Sequence, residues 1–299
     1  MKYHLVAFVV VAIWGSTFVF TKMLLHSGLS PAQIFTFRFI IAYVLLLGYS
    51  LVTHHFSLLT SSWRDELLMV ALGITGGSLY FLTENAAMLY TTATNTSLIV
   101  CSCPLFAMFL FALIYRHSEP ISKYQVTGSL IACLGMAVVV LNGHFVLHLS
   151  PFGDMLAFGA CLCWAVYSLL MKAVVDKYST LFITRKVFIY GLITIIPYYI
   201  LKPSEASIFT TSFFQFFNLS ILLNLLFLGV VASMLCYLLW NWVISKLGAV
   251  IATNWVYFNP ITTIFFAWWL LHEQITIWFL LGTVLILTGM YLADKRHIS

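Results

Sequence analysis

Charge is scarce in this sequence. Only 8% of its 299 residues are Asp, Glu, Lys or Arg, against about 25% in soluble domains. Because 62% of the chain is hydrophobic, that scarcity excludes a water-soluble globule, whose interior would be too small to hide so much apolar surface. It excludes a disordered chain for the same reason. A nucleic-acid binder is excluded as well, since the positive charges stand singly or in pairs, mostly at the ends of apolar runs. Period-2 alternation is missing too, so the chain does not read as a membrane β-barrel, whose strands need about 9–11 residues per crossing. Long polar links are absent. The widest, around 203–218, is about 17 residues by the edges used here and cannot hold a second domain.

Catalytic signatures are equally thin. All nine histidines fall at the ends of apolar runs or in links, with no H-E-x-x-H and no glycine-rich phosphate loop. A membrane-embedded enzyme is therefore the least favoured class. No ATP-binding Walker motif is present, and no cofactor or metal is expected. The six cysteines (Cys101, Cys103, Cys133, Cys161, Cys163 and Cys236) all lie within apolar runs. Residues two apart on a helix point to nearly opposite faces, so neither C-x-C pair can share a metal ion. They read as small apolar core residues.

What remains is lipid-soluble helix. A spanning helix needs roughly 20 apolar residues, and ten such runs occur: 5–25, 31–52, 67–90, 93–114, 121–142, 152–174, 182–201, 219–242, 249–271 and 275–293. Each satisfies its own backbone hydrogen bonds, as the hydrocarbon core requires. The first run has the look of a signal peptide, with Lys2, an apolar stretch and Gly15-Ser16. Its length, and the return of its pattern later in the chain, predict a retained helix. Threading the ten runs places Lys2, Arg64, Arg116, Lys123, Lys172, Lys177, Arg185, Lys186, Lys246, Lys295 and Arg296 on one side. Lys22 and Lys202 fall on the other. The positive-inside rule then puts both termini in the cytoplasm of a multi-pass inner-membrane protein.

The chain also repeats itself. Trp14 and Lys22 return as Trp164 and Lys172 at an offset of 150. Gly73, Asn85, Ala93 and Pro104 return as Gly229, Asn241, Ala249 and Pro260 at an offset of 156. Glu119-x8-Gly128-x6-Gly135 returns as Glu273-x8-Gly282-x6-Gly289. Residues 1–142 and 151–299 thus read as two copies of a five-helix unit. An odd number of crossings inserts the second copy upside down. The predicted fold class is an all-α integral membrane protein of ten transmembrane helices, arranged as two inverted five-helix repeats, an architecture common among secondary transporters.

Several stretches resemble a known family. Ile13-Trp14-Gly15-Ser16-Thr17-Phe18 with Lys22 looks like the opening of EamA-type members of the drug/metabolite transporter superfamily. Asn85-Ala86-Ala87-Met88-Leu89-Tyr90-Thr91 is similar to that family's end of helix 3. Pro104, Glu119, Gln125 and Gly128 resemble its helix 4–5 junction. Trp164-Ala165-Val166-Tyr167-Ser168, Pro260, Glu273 and Gly282 carry the match through the second half. The resemblance implies transport of small metabolites or drugs across the bacterial inner membrane. It also implies a central cavity lined by helices 1, 3, 4, 6, 8 and 9.

On those helices, polar and aromatic residues form stripes. The expected cavity-lining set is Trp14 and Thr17; Tyr80, Glu84 and Asn85; Ser97, with Thr94 and Cys101 on the same helix; Trp164, Tyr167 and Ser168; Tyr237 and Asn241; Thr253, Asn254 and Tyr257. Aromatic walls with a few hydrogen-bonding groups suit small amphipathic molecules. Ser, Thr and Asn also serve as glue between membrane helices, the competing reading for each single stripe residue. Glu84 is the one carboxylate deep in a span, which makes it a functional candidate by default. Counting along the helices at 1.5 Å per residue puts Glu84 about 9 Å, and Arg38 about 10 Å, from the same surface. An Arg38–Glu84 ion pair is therefore geometrically possible: either it only holds helices 2 and 3 together, or Glu84 titrates or contacts a cationic part of the substrate. Burial favours its neutral form and proton coupling, whereas a guanidinium favours the charged form. Pro104 and Pro260 are expected inside helices 4 and 9, as kinks that could act as hinges.

The functional expectation is a secondary active transporter, exporting or exchanging small organic metabolites such as amino acids or amphipathic compounds by alternating access. Its partners are a small-molecule substrate, the lipid bilayer and protons, with no nucleic acid. A channel-like or facilitative permease without ion coupling is the alternative.

Overall fold

A computed structural model describes residues 2–53, 57, 59–91, 93–114, 122–141, 150–206, 218–271 and 277–294. Glu119 and Glu273 lie outside them, as does the side chain of Thr94. Among the described residues the regular structure is helical throughout, without strands. The helices are α1 (Lys2–His26), α2 (Pro31–Val52), α3 (Trp63–Tyr90), α4 (Ala93–Val100), α5 (Cys103–Ile114) and α6 (Lys123–Leu141). The second half adds α7 (Pro151–Val174), α8 (Thr180–Leu201), α9 (Leu219–Leu247), α10 (Ala249–Asn254), α11 (Asn259–Leu271) and α12 (Ile277–Asp294). Six of them (α1, α2, α3, α7, α8 and α9) are long and apolar enough to cross a membrane. Large apolar residues such as Val52, Leu113, Leu134, Ile200 and Val284 are exposed on the outside, while Arg38, Glu84, Asn85, Asn241 and Thr253 are buried. That inversion suits a hydrocarbon solvent.

Helix starts follow the local sequence. Ser30 caps α2 and Ser122 caps α6 in reciprocal pairs with Gln33 and Gln125: each serine hydroxyl accepts from the glutamine N–H, and each glutamine side chain accepts from the serine N–H. Ser62, Ser179 and Asn218 cap α3, α8 and α9.

Two expected spans are broken. The run 93–114 divides into α4 and α5 at Cys101-Ser102, and the run 249–271 divides into α10, a 3-10 turn over Trp255–Phe258, and α11. Pro104 and Pro260 are consequently not kinks within continuous helices, as expected, but the second residues of new ones. Proline has no N–H to donate, which suits it to the first turn of a helix, where that N–H would have no partner. Two further irregularities are wide π-type turns, over Ile74–Ser78 in α3 and Phe227–Leu235 in α9.

The halves pack on each other in matched pairs. α1 lies against α9 and α11, while α7 lies against α3, α4 and α5; α2 meets α9, and α3 meets α8; α2 meets α8; α6 runs along α12. Glycines permit the last contact. A Cβ at Gly128 would stand 2.5 Å from the Gly289 carbonyl oxygen, and one at Gly135 would stand 2.8 Å from that of Gly282. Small residues let membrane helices approach this closely. Gly128→Leu is expected to destabilise the protein by about 3 kcal/mol or more through overpacking, read as a lower unfolding temperature in detergent. Gly48→Leu is the control, because nothing lies within 4 Å of its added Cβ. Equal melting temperatures for the two variants would refute this account.

Candidate functional site

Where the two halves meet, a narrow cavity opens between side chains. α1 supplies Trp14, Thr17 and Phe18, α2 supplies Arg38, and α3 supplies Tyr80, Phe81 and Glu84. Val100 and Cys103 enter from the α4–α5 break, and Val256 and Asn259 from the α10–α11 break. Trp164 of α7 and Tyr237 of α9 complete the wall.

The aromatic wall is interlocked. Trp14 and Trp164 meet edge to face with centroids 5.3 Å apart and planes at 90°, an arrangement favoured by the ring quadrupoles. Tyr80 lies 5.2 Å from Trp164, and Tyr237 lies 5.8 Å from Trp14. The Trp14 indole N–H donates to the Ala232 carbonyl at 2.9 Å, inside the widened turn of α9. That bond fixes the ring across the two halves. The Thr17 hydroxyl donates to the Trp14 carbonyl on its own helix.

Two charges face this space. Arg38 is 2% exposed; its Nε donates to Ser233 Oγ at 2.9 Å, and its Cζ stands 4.2 Å from the centre of the Phe81 ring. Glu84 is 7% exposed, and its Oε1 accepts from the Tyr80 hydroxyl at 2.8 Å. Both line the one cavity, yet no direct ion pair joins them among the described residues. Each has a nearer neutral partner: Tyr80 sits one turn before Glu84, and α9 brings Ser233 up to Arg38.

The other expected lining residues are buried behind the wall. Asn85 Nδ2 donates to the Pro31 carbonyl, tying α3 to α2. The Tyr167 hydroxyl donates to Asn241 Oδ1 at 2.7 Å, and Asn241 Nδ2 donates to Thr184, joining α7, α9 and α8. Thr253 is paired with Ser168, and Asn254 with Ser129. Ser97 and Tyr257 are also buried away from the cavity. Asn85, Tyr167, Asn241, Thr253 and Asn254 thus bond helix to helix. The sequence reading missed Phe18, Phe81, Val100, Cys103, Val256 and Asn259. A signal was present for four of them: the 156-residue offset carries Val100 to Val256 and Cys103 to Asn259.

A second polar cluster joins the halves at the end of the bundle where α3 begins. Asp65 accepts from Lys177 Nζ at 3.0 Å and from the Tyr178 hydroxyl at 2.8 Å. Glu66 accepts from Lys186 and Tyr190, and also from Thr60. At the opposite end, Thr36 bonds Tyr199, and Gln33 donates to the Glu205 carbonyl. The cavity lies between these two sets of contacts.

A helical bundle with apolar flanks and a mixed aromatic and charged chamber at its centre defines a class, the membrane transporters of small molecules. The chain belongs to the EamA-like transporter family, whose model matches residues 1–141 and again 151–293. It is 26% identical to an "uncharacterized transporter" of Archaeoglobus fulgidus over 99% of both chains. It is 27% identical to a "probable amino-acid metabolite efflux pump" of Salmonella typhimurium, over 96% of this chain and 92% of that one. A solved crystal structure shares the fold, with a TM-score of 0.74 and 16% identity over 98% of both chains. The protein is a multi-pass membrane transporter.

Proposed function

We propose that the chain is a secondary carrier of ten spans, built from inverted repeats over residues 1–142 and 151–299. It moves small organic metabolites, amino acids or amphipathic compounds among them, across the inner membrane by alternating access, as an exporter or exchanger. One observation carries this reading: the cavity wall uses matched positions of the two halves, Trp14 with Trp164, Val100 with Val256 and Cys103 with Asn259. The exchange-symmetric packing of the helices supports it, as does the reciprocal contact of Gly128 with Gly289 and Gly135 with Gly282. Two like halves around one site can open alternately to either side. Both termini and the Asp65–Glu66 cluster then face the cytoplasm. The helix breaks at Pro104 and Pro260 are the hinges, and Glu84 is the group on which a proton gradient acts.

Counterflow in proteoliposomes tests the reading. Internal substrate is expected to accelerate uptake of labelled external substrate, within a panel of amino acids, nucleosides and lipophilic cations. Uptake indifferent to internal substrate for every compound taken up would indicate a channel-like permease instead. In the same assay, the Pro104→Ala, Pro260→Ala double variant is expected to slow exchange without weakening binding. Glu84→Gln is expected to remove the effect of an imposed pH gradient.

A further inference from the structure

We infer that Trp14 and Trp164 form a two-position latch, and that a single hydroxyl, on Tyr237, biases it toward the arrangement in this structure. The inference rests on the carrier reading above and names the bonds exchanged between its two states. The wide turns of α3 and α9 occupy matched places in the two halves, and the 156-residue offset carries Gly76 to Ala232. Such turns take carbonyls out of the regular helical ladder, so they can accept from another helix. α1 touches the wide turn of α9, and α7 touches that of α3. Only one of the two matched bonds is made. The Trp14 indole N–H donates to the Ala232 carbonyl at 2.9 Å. The Trp164 indole borders the cavity and makes no hydrogen bond among the described residues. The Gly76 carbonyl, the acceptor matching Ala232, takes the Tyr237 hydroxyl instead.

Trp164 lies against the donor that holds its place. Its ring meets Tyr237 edge to face, with centroids 5.9 Å apart and planes at 89°. Tyr167, one turn along α7 and stacked on Trp164, abuts Gly76 so closely that an added Cβ would stand 2.3 Å from its ring. Exchanging the roles of the halves therefore joins Trp164 to Gly76 and releases Trp14 from Ala232. The exchange is uneven. The position matching Tyr237 is Phe81, which has no hydroxyl. In the present arrangement Trp14 and Tyr237 fill both carbonyls. In the exchanged one Trp164 fills Gly76, and position 81 has nothing to offer Ala232. One neutral hydrogen bond is worth about fivefold in an equilibrium constant. The sequence thus tilts the latch toward the present arrangement by about that factor.

Single-cysteine labelling of the full chain tests this. Cys103 lines the cavity and is kept, while the other five cysteines become serine. An impermeant maleimide is added to right-side-out or inside-out vesicles, and the readout is the ratio of labelling rates from the two faces. Trp14→Phe removes a bond of the present arrangement, and Trp164→Phe one of the exchanged arrangement. The two are expected to move the ratio in opposite directions, each about fivefold. Tyr237→Phe and Phe81→Tyr are both expected to move it the way Trp14→Phe does. General destabilisation does not give opposite shifts from like substitutions. Should a tryptophan variant fail to fold, Tyr237→Phe and Phe81→Tyr decide the matter by themselves. The latch is overturned if folded Trp14→Phe and Trp164→Phe shift the ratio the same way or not at all, or if Phe81→Tyr opposes Tyr237→Phe. Counterflow separates this from the parent reading: exchange that persists with an unmoved ratio refutes the latch alone, whereas no counterflow for any compound refutes the carrier.

Discussion

Truncating Trp14 and Trp164 together to alanine is expected to abolish ligand binding and transport. The two rings form the centre of the cavity wall and touch each other at 5.3 Å. Anchors of this kind, large and aromatic at the centre of a site, are worth about 2 kcal/mol or more each in binding, or some thirtyfold in affinity. Each truncation also costs about 3–5 kcal/mol of stability, as large-to-small aromatic changes do. The stability losses will fall short of additive, because the rings are neighbours. A control separates the two effects. Trp240 is fully buried and packs 5.1 Å from Trp14, but it does not line the cavity. Trp240→Ala is therefore expected to lower the unfolding temperature comparably while leaving affinity nearly unchanged in the folded fraction. Were Trp240→Ala to lose as much affinity as Trp14→Ala, the cavity would not be the binding site.

The second large effect is expected at Glu66. Its carboxylate takes Lys186 and Tyr190 from α8 and Thr60 from its own half, so it fastens the two halves at the end proposed to face the cytoplasm. The Lys186 side chain is only 9% exposed. Glu66→Ala leaves that cation without its counter-ion, at a cost of about 3–5 kcal/mol. The cost falls on the state in which Lys186 is buried, so the equilibrium moves more than ~100-fold toward opening at that end. Asp65 is a different case. Its partner Lys177 is 55% exposed, and such surface pairs contribute about 1 kcal/mol or less. Asp65→Asn should therefore shift the equilibrium only a few-fold.

Cys103 is the reporter for that shift, because it lines the cavity and is fully buried in the closed state. In a chain whose other five cysteines are replaced by serine, an impermeant maleimide added from the cytoplasmic side should label Cys103 far faster in Glu66→Ala than in the parent. An unchanged labelling rate, with the protein intact, would mean that the Glu66 cluster is not a gate.

The doubled tryptophans show how far the linear sequence reaches. Trp14 and Trp164 lie in mid-span, where interface anchoring does not explain them, and they recur at a fixed offset. Both line the cavity. Thr17, Tyr80, Glu84 and Tyr237 were legible on the same grounds, as polar or aromatic residues on helices expected to face inward. Asn241 was equally conspicuous, yet it bonds Tyr167 and Thr184 behind the wall. A polar residue on a membrane helix must face protein, and sequence periodicity does not distinguish a neighbouring helix from a chamber. The breaks before Pro104 and Pro260 illustrate a second limit. Proline marks where the ladder of hydrogen bonds fails, but whether the helix bends or restarts depends on what packs there.

The sequence alone determined the solvent, the helical class and the duplication, because the cost of leaving backbone groups or charges in hydrocarbon acts on each segment by itself. Only the tertiary structure decided that Arg38 answers Ser233 and not Glu84, whose own partner Tyr80 stands one turn away on the same helix. Partner choice for a buried charge depends on the rotation and approach of whole helices, and these are set by packing contacts hundreds of residues apart along the chain.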